Sequence, residues 1–214
     1  MLPRDAEPRW QALIAMLAVV GLHLELPSTL TYGPRWLVPV LVLALLAPLI
    51  ITRRVGMHDA NRVLGHVAVG LVTVDLAASL ALLVSRLPLH KETPAELLIA
   101  AAALWVNNML IFASWYWRLD AGGPHARDLQ ESHTDGAFLF PQMTLTPELR
   151  IEMGEDGWRP GFVDYLFLAF NTSTAFSPTD VPVLSRWAKV LMMIQALISL
   201  TTIALLAARA VNIL

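Results

Sequence analysis

Long apolar runs, separated by short polar connectors, dominate the chain. A helix needs roughly 20 mostly apolar residues to cross the hydrocarbon core of a bilayer. Five runs approach or exceed this length, and they cover residues 10–26, 36–52, 63–87, 95–117 and 184–214. The pattern therefore predicts an all-α integral membrane protein with four N-terminal transmembrane helices and a final transmembrane helix.

One long polar segment interrupts this pattern at residues 118–160, directly after the aromatic cluster WYW. It contains four arginines and eight acidic residues, and its AGGP and GEDG motifs are typical of turns. Within it, FLFPQM is apolar enough to lie on a membrane surface or to pack against helices. We therefore expect three regions: a four-helix region at 1–117, an acidic linker at 118–160, and a C-terminal unit at 161–214.

The C-terminal unit begins with an apolar stretch, residues 161–171, that is only about half a span long. The sequence FNTSTAFSPTD overlaps its end, and Pro178 disfavours helix there because proline lacks an N–H and restricts the residue before it. Irregular backbone at membrane depth persists only where protein or water satisfies its polar groups. We therefore predict a re-entrant half-helix, a loop and a spanning helix. Two alternatives stay open: a structural turn in which Asp180 caps a helix, and a substrate-binding loop.

Composition supports the membrane class and narrows the chemistry. Hydrophobic residues make up 56% of the chain and charged residues 15%, and the net charge of −2 does not indicate a nucleic-acid partner. The chain has no cysteine, which excludes disulfides and thiolate metal sites. We find none of the common hydrolase, metalloprotease or phosphate-loop motifs. The sequence therefore predicts a protein that is not an enzyme and that has no cofactor and no metal site.

The stretch TSTAFSPTD resembles the selectivity filter of potassium channels, and the match falls on Thr172, Thr174 and Asp180. The preceding DYLFLAF resembles the pore helix of that family, and VPVLSRWAK resembles its link into the inner helix. The resemblance covers about a quarter of the chain, residues 161–214. It implies a cation pathway, monovalent cations as the transported species, and a homo-oligomer such as a tetramer. The implied pathway residues are Thr172, Thr174, Ala175, Phe176, Ser177, Thr179 and Asp180.

The filter itself departs from that family. Ser177, Pro178 and Thr179 stand where the potassium-channel pattern has Gly-Tyr-Gly. Glycine is needed there for left-handed backbone conformations that side chains penalise. We therefore expect a wider pore, lined partly by hydroxyl groups, that discriminates weakly among monovalent cations.

A second resemblance covers more of the chain. The stretches FASWYWRLDAGGP, FLFPQM, AFSPTD and ARAVNIL resemble a group of uncharacterised bacterial multi-pass membrane proteins that have no established activity. This resemblance implies a multi-pass protein of the bacterial inner membrane, in contact with the lipid bilayer, and it implies no particular function.

Several polar residues occur inside the predicted spans. Gln195, Ser199 and Thr202 share one face of the final helix, with Arg209 on roughly the same line. They could line a pore or form hydrogen bonds between helices. Asp75 lies within the third span, where an acid requires a partner. It is a candidate for proton relay, or it pairs structurally with a residue such as Asn107 or Asn108.

Three functions follow: a pore-loop cation channel-like protein, a non-conducting scaffold or accessory subunit, and a proton-coupled transporter that uses Asp75.

The expected membrane orientation conflicts with the channel-like function. Arg53, Arg54 and Arg62 place their connector in the cytoplasm by the positive-inside rule. Four spans then place the acidic linker there too, whereas a potassium-channel-like pore needs it outside. If residues 162–180 cross the membrane completely, the rule is satisfied and the pore interpretation weakens.

Overall fold

A computed structural model describes residues 7–86, 93–130, 133, 136–174 and 181–211. Within these ranges the chain is helical, with short 3₁₀ turns at Ser28–Leu30, Asp120–Gly122 and Pro141–Thr144. The α-helices are α1 (Trp10–Glu25), α2 (Leu37–Val55), α3 (His58–Arg86), α4 (Pro94–Leu119), α5 (Pro124–Leu129), α6 (Pro147–Glu152), α7 (Phe162–Thr174) and α8 (Arg186–Val211). The all-α prediction is confirmed for the described residues.

Among the described residues, four helices are long and apolar enough to cross a membrane: Leu37–Val55, His58–Arg86, Ala95–Gly122 and Arg186–Ala208. They correspond to the second, third, fourth and final predicted spans. The first predicted span forms α1, a shorter apolar helix of 16 residues. The half-span at residues 161–171 forms α7, which has 13 residues.

Helix α4 lies at the centre of the bundle and contacts α1, α3, α7 and α8. Its fully or nearly fully buried alanines, including Ala100, Ala101 and Ala113, allow neighbouring backbones to approach closely. A capping box begins the helix: Thr93 accepts from the backbone N–H of Glu96, and the Glu96 carboxylate accepts from the backbone N–H of Thr93.

The start of α1, the α2–α3 connector and the end of α4 lie at the same end of the bundle, which we call the linker end. Arg9, just before α1, forms an ion pair with Asp128 of α5 over 2.9 Å. The ring of His58, at the start of α3, stacks on His125 of α5 with the centroids 3.5 Å apart. The arginine-rich connector and the acidic linker are therefore on one side.

The linker folds back onto the helices. Phe138 is fully buried, and its ring contacts the rings of Tyr116, Tyr165 and Trp187. Its backbone forms an isolated antiparallel bridge with Val183. Of the two placements expected for FLFPQM, packing against helices is therefore correct.

Both α7 and α8 begin at this cluster of rings. Tyr165, in the first turn of α7, contacts Phe138. Trp187, the second residue of α8, contacts Phe138. Farther along, Gln195 of α8 bonds Ala169 and Ser173 of α7. Helices α7 and α8 therefore run side by side in the same direction, away from the linker end.

Candidate functional site

The candidate pathway begins at the end of α7. The Thr172 hydroxyl donates to the carbonyl of Leu168 over 2.8 Å, and that of Thr174 donates to the carbonyl of Asn171 over 3.1 Å. Both hydroxyl protons thus engage the helix's own carbonyls, and each oxygen keeps lone pairs for a ligand. The remaining predicted pathway residues lie outside the described residues: Ala175, Phe176, Ser177, Thr179 and Asp180.

Gln195 joins α8 to two other helices. Its side-chain amide N–H groups donate to the Ala169 carbonyl over 2.7 Å and to the Ser173 hydroxyl over 2.8 Å. Its amide oxygen accepts the hydroxyl proton of Tyr116, on α4, over 2.5 Å. The Asn108 side chain donates to the backbone carbonyl of Gln195. These bonds fix the end of α7 against α4 and α8.

A second group of bonds surrounds Ser173, close to the point where α7 ends. The Ser199 hydroxyl donates to the Ser173 carbonyl, and the indole N–H of Trp105 donates to Ser199 over 3.0 Å. Ser173 and Ser199 are almost fully buried. The last turn of a helix leaves backbone carbonyls without the usual backbone donors, and Ser199 satisfies the Ser173 carbonyl.

On the polar face of α8, Gln195 and Ser199 therefore form hydrogen bonds to other helices, which is one of the two interpretations of its spacing. Gln195, Ser199 and Thr202 are all buried within the described chain. Thr202 donates to carbonyls of its own helix, those of Ile198 and Ser199. Pore lining by these side chains remains a prediction. The Arg209 side chain lies outside what the structure describes.

Asp120, at the end of α4, anchors the start of α7 and the linker. It is fully buried, and its carboxylate accepts the hydroxyl proton of Tyr165 over 2.6 Å and the backbone N–H of Ala137 over 2.5 Å. His133 Nε2 lies 3.3 Å from the same carboxylate. A carboxylate that accepts hydrogen bonds from several donors is stabilised in a low-dielectric site. Asp120 thus fixes where α7 begins.

Arg127 completes this junction and is itself buried. Its guanidinium donates to the carbonyls of Trp117 and Asp120 and pairs with the Glu7 carboxylate over 2.9 Å. It also lies over the Tyr165 ring, 5.1 Å from the centroid. The charge is thus neutralised, which burial requires. Sequence reasoning missed this junction; the available signal was an acid, Asp120, directly after an apolar span.

Asp75 has a partner that the sequence interpretation did not name. His23 of α1 lies 2.7 Å from the Asp75 carboxylate, measured from Nδ1 to Oδ2. The expected alternatives, Asn107 and Asn108, are not its partners; Asn108 bonds Gln195 instead. The prediction of a partner is confirmed, and its identity is corrected.

Comparison with protein families, with characterised proteins and with solved structures finds no match for this chain. Among the described residues, no group of three or more histidines and acids is placed to hold a metal ion.

Proposed function

We propose that this protein is a pore-loop, cation channel-like protein of the cell membrane, in which residues 175–180 form a re-entrant loop. The observation that supports it is that α7 and α8 begin at the same cluster of rings, because Tyr165 of α7 and Trp187 of α8 both contact Phe138. A helix of 13 residues is about 20 Å long. Six extended residues also reach about 20 Å. The segment between the two helices is therefore long enough to return to the linker end.

The hydrogen bonds around Ser173 suit this role. A loop that binds ions needs a rigid support, because a displacement of about 1 Å is enough to spoil a site. Gln195, Ser199 and Trp105 hold the last turn of α7 from two sides. Thr174 and the loop that follows would then supply hydroxyl and carbonyl oxygens to a cation.

One half-helix and one lining helix cannot enclose a pore, so the proposed channel is a homo-oligomer such as a tetramer. The face of α8 opposite Gln195 offers an apolar surface for subunits or lipid, with exposed side chains at Val190, Met193, Leu197 and Leu200. These four side chains are uncharged, which suits contact with another subunit and contact with lipid alike.

The proposed loop enters from the cytoplasm, opposite to the loop of a potassium channel. Arg53, Arg54 and Arg62 share the linker end with α7 and α8, and the positive-inside rule places that end in the cytoplasm. An inverted loop therefore removes the conflict between the positive-inside rule and the pore interpretation. The loop sequence still lacks the glycines of a carbonyl cage, so we propose weak discrimination among monovalent cations.

Cation flux into reconstituted vesicles tests the proposal. Thr174→Ala and Asp180→Asn should each reduce flux, whereas Thr201→Ala, on the exposed face of α8, should leave it unchanged. Wild-type flux in both loop variants would remove the loop from the conduction path. Bi-ionic reversal potentials should show a potassium-over-sodium preference below roughly tenfold.

A non-conducting scaffold or accessory subunit is the second candidate. It is favoured by the burial of Gln195, Ser199 and Thr202 within one chain, where they contribute to packing. Absence of cation flux from correctly folded wild-type vesicles would favour this function.

A proton-coupled transporter is the third candidate, and the contact between His23 and Asp75 favours it. If the protein has this function, substrate movement should be accompanied by acidification of the vesicles. The Asp75→Asn variant should show neither substrate movement nor acidification.

A further inference from the structure

A cavity of about 520 Å³ lies among α1, α2, α3 and α4 near the linker end. Its volume is within the range of ligand pockets, roughly 300–1,000 Å³. Apolar side chains form most of the wall that extends into the bundle, among them Leu13, Met16, Leu46, Leu49 and Trp117. The cavity therefore offers an apolar body between helices that are long enough to cross a membrane.

Four arginines line the same cavity, and no carboxylate occurs among the described residues that line it. They are Arg9, Arg53, Arg54 and Arg118. Arg9 is bonded to Asp128. The other three guanidinium groups form no hydrogen bond or ion pair within the described parts of the chain, and Arg53 interacts with the Asp128 charge only through space. Donors of this kind at a membrane interface favour an anion.

The Asn61 and Ser114 side chains of the wall already have hydrogen-bond partners. The Asn61 amide donates to the Leu49 carbonyl over 2.6 Å, and the Ser114 hydroxyl donates to the Leu110 carbonyl over 2.8 Å. The arginines are thus the groups that remain available to a ligand, and what they recognise is negative charge.

Arg118 holds a defined position between the helices. A Cβ built on Gly65 of α3 would lie 1.8 Å from its guanidinium Nη1, so the glycine leaves the space that the guanidinium fills. Its Cζ lies 5.3 Å from the centroid of the Trp117 ring. Arg118 also borders a smaller pocket of about 90 Å³, whose lining includes Arg62 and its ion-pair partner Asp59. Arginine side chains therefore lie at the mouth of the apolar cavity.

We propose that this cavity binds an anionic phospholipid, with its phosphate at Arg118, Arg53 and Arg54 and an acyl chain in the apolar part. Basic pockets between transmembrane helices on the cytoplasmic side bind anionic headgroups. A free phosphate would leave the apolar volume empty, and a zwitterionic lipid would leave the guanidinium charge uncompensated. The site is separate from the α7–α8 loop and does not depend on conduction.

Native mass spectrometry of the purified full chain, titrated with lipid, tests the proposal. Phosphatidylglycerol should bind about tenfold more tightly than phosphatidylcholine of the same acyl chains, a difference of about 1.4 kcal/mol. Equal binding of the two lipids would overturn the headgroup assignment. If inorganic phosphate alone competed fully at equal concentration, the site would be one for free phosphate, and the lipid assignment would be wrong.

Matched variants locate the site. Arg118→Gln and Arg54→Gln should each weaken phosphatidylglycerol binding about fivefold and leave phosphatidylcholine binding unchanged. Arg54 is exposed, so the fold tolerates its loss. Arg86→Gln, at the other end of α3, removes the same charge and should have no effect. An equal loss in Arg86→Gln would overturn the proposal, because general charge attraction would then explain the binding.

A pair of glycine variants tests the position of Arg118 without changing any charge. Gly65→Ala should displace the guanidinium and weaken phosphatidylglycerol binding. Gly70→Ala, on the same helix, has open space around the new methyl group and should bind like the wild type. Identical binding by both variants would contradict the assigned role of Arg118.

Discussion

Gln195 on α8 donates a side-chain N–H to the backbone carbonyl of Ala169 on α7 over 2.7 Å. A helix carbonyl that accepts a side-chain donor from another helix ties the two together at one register. With the Tyr116 and Ser173 bonds, a single amide connects α4, α7 and α8. The support of the proposed loop therefore depends largely on this buried side chain, together with Ser199 and Trp105.

Gln195→Leu should destabilise the protein by about 1–3 kcal/mol, because the Tyr116 and Ser173 hydroxyls and the Ala169 carbonyl lose a buried partner. Thr201→Val, which removes an exposed hydroxyl from the same helix, is the matched control and should change little. Unfolding in detergent titrated with denaturant measures both. Equal stability of the two variants would show that the amide does not hold the helices.

Tyr165→Phe should lower the free energy of unfolding by about 1.5–3 kcal/mol, which is the range for a hydrogen bond to a charged acceptor. Asp120→Asn should lower the free energy of unfolding further. The Ala137 N–H also loses its carboxylate acceptor, and the N–H group of the new amide would face other donors. Tyr32→Phe, at an exposed tyrosine, is the control. Thermal unfolding ranks the three variants, and an Asp120→Asn effect below that of Tyr165→Phe would contradict the arrangement.

His23→Leu and Asp75→Leu should each destabilise the protein, because each leaves a buried polar partner unpaired. The double variant should be more stable than the sum of the single losses predicts, since neither group is then left alone. A double-mutant cycle on unfolding free energies measures this coupling. Strict additivity would mean that the two side chains do not interact in solution.

Acid should weaken the packing of α5 on the start of α3. Burial, with the nearby charges of His58 and Arg9, lowers the pKa of His125 below its usual value near 6.5. The unfolded chain then takes up this proton at a higher pH than the folded chain does. The contribution of His125 to the stability of the fold is therefore present above about pH 6.5, and it is lost as the pH falls through the lowered pKa.

His125→Asn should show a shallower loss of melting temperature between about pH 7 and pH 5 than the wild type does. His90→Asn serves as the comparison, because it removes a histidine from the α3–α4 connector. If the melting temperature of His125→Asn fell with pH as steeply as that of the wild type, the pH dependence would come from other groups.

Cysteine labelling tests which elements share a side, and the native chain has no cysteine to interfere. Cysteines at Met57 and Glu148 should be accessible from the same side, and one at Glu96 from the opposite side. By the positive-inside rule, an impermeant reagent added to intact cells should label only position 96. Labelling of positions 57 and 148 from opposite sides would refute the common linker end.

The sequence by itself determined the all-helical class and the positions of the long apolar helices that could cross a membrane. Both depend on the length and composition of continuous runs, because burial in lipid acts on each helix separately. The spacing of Gln195, Ser199 and Thr202 likewise determined that they share a helix face, since helical geometry is local.

Tertiary structure alone decided what those side chains meet. Asp120 lies 45 residues from Tyr165 in the chain, and His23 lies 52 residues from Asp75. Only helix packing brings such groups together, and a single chain carries no local signal for a distant partner. The common direction of α7 and α8, and the arginine-lined cavity among four helices, follow from the same packing. Hydrogen bonds and charges in a bundle are satisfied between helices, which no one-dimensional pattern specifies.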